Sequence, residues 1–213
     1  MSNLARWREI FEELGLTGDA ETHAELRRHY SEPGRVFHTL HHVSECLDLL
    51  EQARAVAERP QELELAIWFH DAIYEVRRAD NELRSADWAR TALEAAGTAP
   101  DLVERVYGLV LATAAQAEPL TDDECLMIDI DHAVLGSRPA RYAEYERQLR
   151  QEYRHVPQML YQSVRKKDLR DWLLRPRIYW TDWFSRRYET LARANIQRAL
   201  RRLSGGVPVR GTA

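Results

Sequence analysis

Histidine and aspartate crowd three short stretches of this chain. The first is His38-Thr39-Leu40-His41-His42, the second Trp68-Phe69-His70-Asp71, and the third Asp129-Ile130-Asp131 within the apolar run 126–135. His38 and His42 stand four apart, a spacing that places both on one face if the segment is helical. His70 and Asp71 are adjacent, about 100° apart on a helix, so one ion reaches both only near a helix end or in a crevice between helices. A carboxylate beside an imidazole in apolar sequence is costly to bury unless a cation offsets the desolvation. The two acids of the third stretch pose the same problem, and one of them is expected to point inward. Each stretch alone has a bland explanation in packing. Together they supply His, His-Asp and Asp, a set suited to Mn, Fe, Ni, Co or Zn rather than Ca. Four protein donors leave an octahedral ion two positions for water and substrate, the open geometry that hydrolysis needs.

Helices must position these groups, because helical periodicity runs through nearly the whole sequence. The apolar spacing predicts helices over 4–14, 20–30, 38–57, 62–74, 81–96, 100–113, 122–135, 141–154, 157–174 and 180–203, with breaks at Gly15, Gly18, Pro33-Gly34, Pro60 and Gly97. The helix over 62–74 is apolar on most sides and belongs at the centre of a bundle. No alternating strand pattern extends beyond a few residues, and the connections are short. The expected fold is all-α, a single helical bundle domain over 1–203 with residues 204–213 as a disordered tail; the length admits two small domains.

Composition narrows the function. The 213 residues carry 30 Lys and Arg against 34 Asp and Glu, a net charge of -4, which gives no basic footprint for nucleic acid. The arginines between Arg165 and Arg202 are mixed with acids and read as a solvated helix face. Cys46 and Cys125 have no metal-binding spacing and read as buried free thiols. No apolar leader is visible at residues 1–16 and no stretch is long enough for a membrane span, so the expectation is a cytoplasmic protein without a membrane partner. The oligomeric state is not legible.

The order H…HD…D resembles the HD superfamily of metal-dependent phosphohydrolases. A closer similarity is to a bacterial family of predicted HD phosphohydrolases, carried by 30–38 with His42, 66–74, Asn81-Glu82 with Ser85-Ala86, Asp129-Ile130-Asp131 with Leu135-Gly136, Glu152-Tyr153, Arg177-Ile178-Tyr179 and 192–195. The resemblance implies an HD-type core in which His42, His70, Asp71 and Asp131 hold a divalent ion, with Mg also admitted. Asp131 fits that register better than Asp129, and it shares a helix face with Met127 and Leu135. The segment 37–42 also looks like a cyclic nucleotide phosphodiesterase signature, in which the first His is an acid and the second a ligand. That makes His38 a candidate acid, although Thr39 stands where the signature has Asn; His41 competes with its neighbour as ligand. Many relatives hold a second ion through a downstream His, and Gln116 stands near that position here, which favours one ion.

The implied activity is hydrolysis of a small phosphorylated substrate, a phosphomonoester or phosphodiester, with nucleotides among the candidates. Asp71 would act as ligand and catalytic group, and His38 or Glu75 would move protons. Arg35 is a candidate phosphate clamp or a partner of Glu32, and Asn81 and Glu82 are candidate substrate-binding residues or helix caps. Arg77 and Arg78 lie near the expected mouth. The alternative function is a nucleotide-binding regulator that keeps the metal site with little or no turnover. An oxygenase with two irons would need further ligands. Trp172, Trp180 and Trp183 read as core packing, and Asp168 and Asp171 as a solvated face.

Overall fold

A computed structural model describes residues 3–16, 20–114 and 118–205. The all-α expectation holds: among the described residues there are ten α-helices, two short 3-10 turns and no strand. Gly18, Gln116 and nearly all of the expected tail lie outside the described residues. The chain divides into two compact units, residues 1–131 and 132–213, and the boundary falls directly after Asp131. All four expected metal ligands therefore belong to the first unit.

The first unit contains α1 (Asn3–Glu13), α2 (Ala20–His29), α3 (Leu40–Ala53), α4 (Pro60–Phe69), α5 (Asn81–Ala95), α6 (Pro100–Leu111) and α7 (Asp122–Asp131). Helix α4 is its axis and packs against α1, α3, α5, α6 and α7. Leu63, Leu65, Ala66, Ile67, Trp68 and Phe69 are all fully buried, which is why this helix shows no polar face in sequence. Pro60 opens it, where a missing N–H leaves nothing unsatisfied. Asp123 of α7 completes the start by accepting from the backbone N–H groups of Glu58 at 2.8 Å and Arg59 at 2.9 Å. Its charge sits at the positive end of the helix.

Two acids of α4 are buried and each has an arginine fork. Glu62 accepts from Arg105 of α6 at 2.7 and 2.8 Å. Glu64 accepts from Arg6 of α1, whose Nε lies 2.7 Å from Oε1. Burial pushes the Glu64 carboxyl up, and the Arg6 guanidinium pulls it back down.

Three predicted boundaries move. The helix expected over 62–74 runs from Pro60 to Phe69, so His70 and Asp71 follow it rather than lie within it. The helix expected over 38–57 starts only at Leu40, because Thr39 is extended and its side chain accepts from the His41 N–H. His38 therefore precedes the helix and does not share a helical face with His42. The helix expected over 122–135 ends at Asp131 and continues as a 3-10 turn, His132–Gly136, which opens the second unit.

The second unit adds α8 (Pro139–Glu152), α9 (Gln158–Leu174) and α10 (Asp182–Leu203). The 3-10 turn lies against α10, and a Cβ built on Gly136 would meet the backbone oxygen of Tyr188 at 2.8 Å, so only glycine permits that approach. Asn195, fully buried, donates to the carbonyls of Leu135 and Ser137, both at 2.8 Å. Arg193 holds the carbonyls of Leu173, Arg175 and Pro176 at the end of α9. Core packing does not describe the late tryptophans: Trp180 is 46% exposed, and Trp172 and Trp183 are half-buried beneath the guanidiniums of Arg175 and Arg187. Arg165 is buried rather than solvated. Cys46 is buried as expected, whereas Cys125 is only half-buried.

Truncating Arg6 to Ala leaves the Glu64 carboxylate buried without its fork. The expected loss is about 2 kcal/mol of unfolding free energy, smaller than for a fully buried pair because Arg6 is 28% exposed. Urea denaturation measures it, and an unchanged midpoint would refute the pairing.

Candidate metal centre

The centre is built where α4 ends. His70 caps the helix in the αR conformation, and Asp71 begins the turn that leaves it. This is the placement that lets one ion reach two adjacent side chains. A helix that ends inside a core must place its last carbonyls somewhere. Here Ile67 O lies 2.8 Å from His70 Nδ1, and Trp68 O accepts from the Tyr30 hydroxyl at 3.1 Å. Arg35 donates to the carbonyls of Asp71 at 2.6 Å and Ala72 at 2.8 Å. The following loop is pinned to α5: Asn81 exchanges two 3.0 Å bonds with the backbone of Glu75, and Ser85 accepts from the Ile73 N–H.

With the turn fixed in this way, four side chains converge. One donor atom each from His42, His70, Asp71 and Asp131 lies within 4.8 Å of the others. The two imidazoles face each other, Nε2 to Nε2, at 3.2 Å. His42 Nε2 lies 3.1 Å from Asp131 Oδ1, and His70 Nε2 lies 3.2 Å from Asp71 Oδ2. The histidines are buried, while the carboxylates of Asp71 and Asp131 keep 15% and 19% exposure. The cluster is thus closed on its imidazole side and open on its carboxylate side.

Physical chemistry supports a cation at this position. His70 Nδ1–H donates to Ile67 O, so its neutral ring presents a lone pair at Nε2, the tautomer a metal ligand needs. Two imidazole nitrogens at 3.2 Å cannot both present lone pairs without a proton or an ion between them. Burial alone would lower the His70 pKa, but the Asp71 and Asp131 carboxylates override it and hold the group well above the ordinary imidazole range. Burial would likewise raise Asp71; the His70 and His38 charges instead hold it below the usual carboxylate range. Cys46 Sγ lies 3.7 Å from both ring nitrogens of His42, and burial with Asp131 and Asp71 nearby pushes its thiol well up.

The other expected site residues divide. His38 stacks on Tyr74 with ring centroids 4.1 Å apart, 6.2 Å from the ring of His42, and its charge acts on Asp71. Glu82 is half-buried, and burial together with the Asp71 and Asp131 charges pushes its pKa up. Glu75 instead pairs with Arg84 at 2.6 Å and is 56% exposed. Arg35, 3% exposed, has its donors directed at backbone carbonyls and at Glu32, so it positions the turn and is not presented as a phosphate clamp. Asn81 acts on the backbone of Glu75 in the same way. His41 is 64% exposed beside Glu45, so of the two neighbours it is His42 that joins the cluster. Asp129 is fully buried outside the cluster, and Asp131 is the member. Tyr30, Ser85 and Cys46 were not singled out as site residues. A buried tyrosine just before the turn at 31–34, and a cysteine four residues after a ligand histidine, were the available signals.

No family model matches the chain, and neither curated proteins nor solved structures show a significant match to it. No helix among the described residues is long and apolar enough to cross a membrane.

Replacing Arg35 by Lys removes the planar fork while keeping the charge. The expected result is a folded protein whose affinity for Co(II) is about tenfold lower, because the turn carrying Asp71 is less fixed; unchanged affinity by calorimetry would refute the positioning role. Stability against pH should also change shape with metal. In chelator, the His70 contribution is full below about pH 6.5 and is lost as pH rises through its raised pKa. The Asp71 contribution is present above about pH 3.9 and is lost as pH falls through its lowered pKa. Metal replaces the proton, so the Tm gain from Co(II) should grow as pH rises. A gain independent of pH would show that the ion binds elsewhere.

Proposed function

We propose that this chain is a metal-dependent phosphohydrolase of the HD type, in which His42, His70, Asp71 and Asp131 hold one divalent transition-metal ion. The observation that carries the reading is the convergence within 4.8 Å of four donor atoms, from α3, from the cap and turn that end α4, and from α7, with the second nitrogen of His70 already held by a backbone carbonyl. The resemblance noted in the sequence assigns the same four residues. An ion in this position supplies a nucleophile at neutral pH and charge stabilisation for a phosphoryl oxygen. The substrate is a small phosphomonoester or phosphodiester, with nucleotides among the candidates.

The chain's own groups supply positioning and proton transfer. His38, stacked on Tyr74 and close enough for its charge to act on Asp71, is the proton donor to the leaving oxygen. Glu82, near enough for the Asp71 and Asp131 charges to act on it, holds its proton more tightly than an ordinary carboxyl does, which suits hydrogen bonding to a substrate oxygen. Glu75 is the weaker candidate base because Arg84 holds its carboxylate. The partly exposed edges of Asp71 and Asp131 mark the side from which a substrate enters.

The test is metal content of protein purified without chelator, followed by a phosphatase and phosphodiesterase screen, nucleotides included, with Mn, Co, Ni and Mg. The expectation is close to one ion per chain and metal-dependent phosphate release. Asp71→Ala should lose both; retained metal in that variant would sink the ligand assignment. His38→Gln should keep the metal and lower kcat by about 100-fold. Bound metal with tight nucleotide binding and no product would instead establish the regulator.

A further inference from the structure

A cavity of about 580 Å³ lies wholly within the second unit, between α8, the start of α9 and the end of α10. Its volume is in the range that small-molecule sites occupy. Four arginines line it: Arg147 and Arg150 from α8, Arg198 and Arg202 from α10. The one acid in the lining, Glu146, is already neutralised by the buried Arg165, whose Nη2 lies 2.6 Å from its Oε1. None of the four arginines has a carboxylate partner among the described residues. Four like charges around one hollow repel one another, and the walls between them are low in dielectric, so the hollow carries a concentrated positive potential.

Two of the four guanidiniums are fixed in place. Arg150 is held by Gln158 at 2.8 Å and by the carbonyl of Val156 at 3.1 Å, and its charge lies over the Tyr161 ring. Arg198 donates to Asn195, which is itself anchored to Leu135 and Ser137. Arg147 and Arg202 are exposed at the rim and free to close on a ligand. The wall also contains a buried donor with no acceptor: the Tyr161 hydroxyl has no hydrogen-bond partner among the described residues, and Tyr161 is 8% exposed. Pro139, Ala143 and Leu203 give the rest of the lining an apolar character.

We propose that this cavity is a second ligand site, for a small phosphate monoester with an apolar or aromatic body. Guanidinium forks match phosphate oxygens in pairs, and a dianion balances more of the surplus charge than a carboxylate does. The apolar wall accepts the body, and the Tyr161 hydroxyl supplies a neutral donor. The site is separate from the metal centre in residue composition and does not rest on the proposed hydrolase activity.

Phenyl phosphate is the probe, titrated into the full chain in chelator by calorimetry, with inorganic phosphate for comparison. Saturable one-site binding is expected, tighter for phenyl phosphate than for phosphate. The exposed double variant Arg147→Glu with Arg202→Glu should weaken it by about tenfold or more. Tyr161→Phe, which keeps the shape of the wall, should weaken it by a smaller factor, and Asp71→Ala should leave it unchanged. Binding that survives the double arginine variant, or that disappears in Asp71→Ala, overturns the proposal, as does the absence of saturation. Tighter binding of inorganic phosphate than of phenyl phosphate overturns the apolar part of the site.

Discussion

The first unit depends on how α4 ends. An α-helix leaves its last carbonyls without intrahelical partners, and an unsatisfied carbonyl in a dry core costs about 1–3 kcal/mol. Because α4 is the buried axis, water cannot meet that need freely. The chain satisfies it with two side chains, the imidazole of His70 itself on Ile67 O and the Tyr30 hydroxyl on Trp68 O, while Arg35 holds the carbonyls of the turn that follows, those of Asp71 and Ala72. The bonds that close the helix therefore also orient two of the candidate metal ligands. His70 cannot point its Nδ1 at Ile67 O without presenting Nε2 to His42, and Arg35 cannot cap Asp71 and Ala72 without fixing the turn that carries the Asp71 carboxylate.

The buried acids of this unit are treated in two ways. Glu62 and Glu64, on the same central helix, each meet an arginine fork from a neighbouring helix. Asp71 and Asp131 face imidazole nitrogens instead. A guanidinium keeps its charge at any relevant pH, so the first pair is stable and inert. An imidazole can give up its proton, so the second pair can exchange a proton for a metal ion without rebuilding the site. The choice of cation beside each carboxylate thus separates the acids that hold the bundle together from those able to do chemistry.

That separation was only partly legible in the sequence. All ten helices start within two residues of the expected position, since apolar periodicity reports which face of each helix is buried. The donor set was legible too, because three histidines and two acids in apolar surroundings lack a cheaper explanation. What periodicity cannot report is the partner across the core. Arg35 has the chemistry of a phosphate clamp, and only the fold shows its fork on backbone carbonyls. His38 has helical spacing from His42, but the local preference of Thr39 for an extended capping conformation stops the helix between them. Asp123 caps a helix that begins far from it in sequence, a contact no local pattern announces.

Arginine is the recurring structural device of both units, and its uses separate by what each fork meets. Arg35 holds the turn after α4, Arg150 the turn after α8 and Arg193 the turn after α9, in each case by donating to carbonyls at or just beyond the helix end. Such forks carry charge but have a structural reason to be where they are. Arg147 and Arg202 close no helix and meet no carboxylate among the described residues, yet they stand beside Arg150 and Arg198 around one hollow. Helix closure would put Arg150 there regardless of any ligand. It does not account for three further arginines lining the same space. Bringing them together raises the energy of the unliganded protein, and an anion is the simplest agent that would reverse the sign of that contribution.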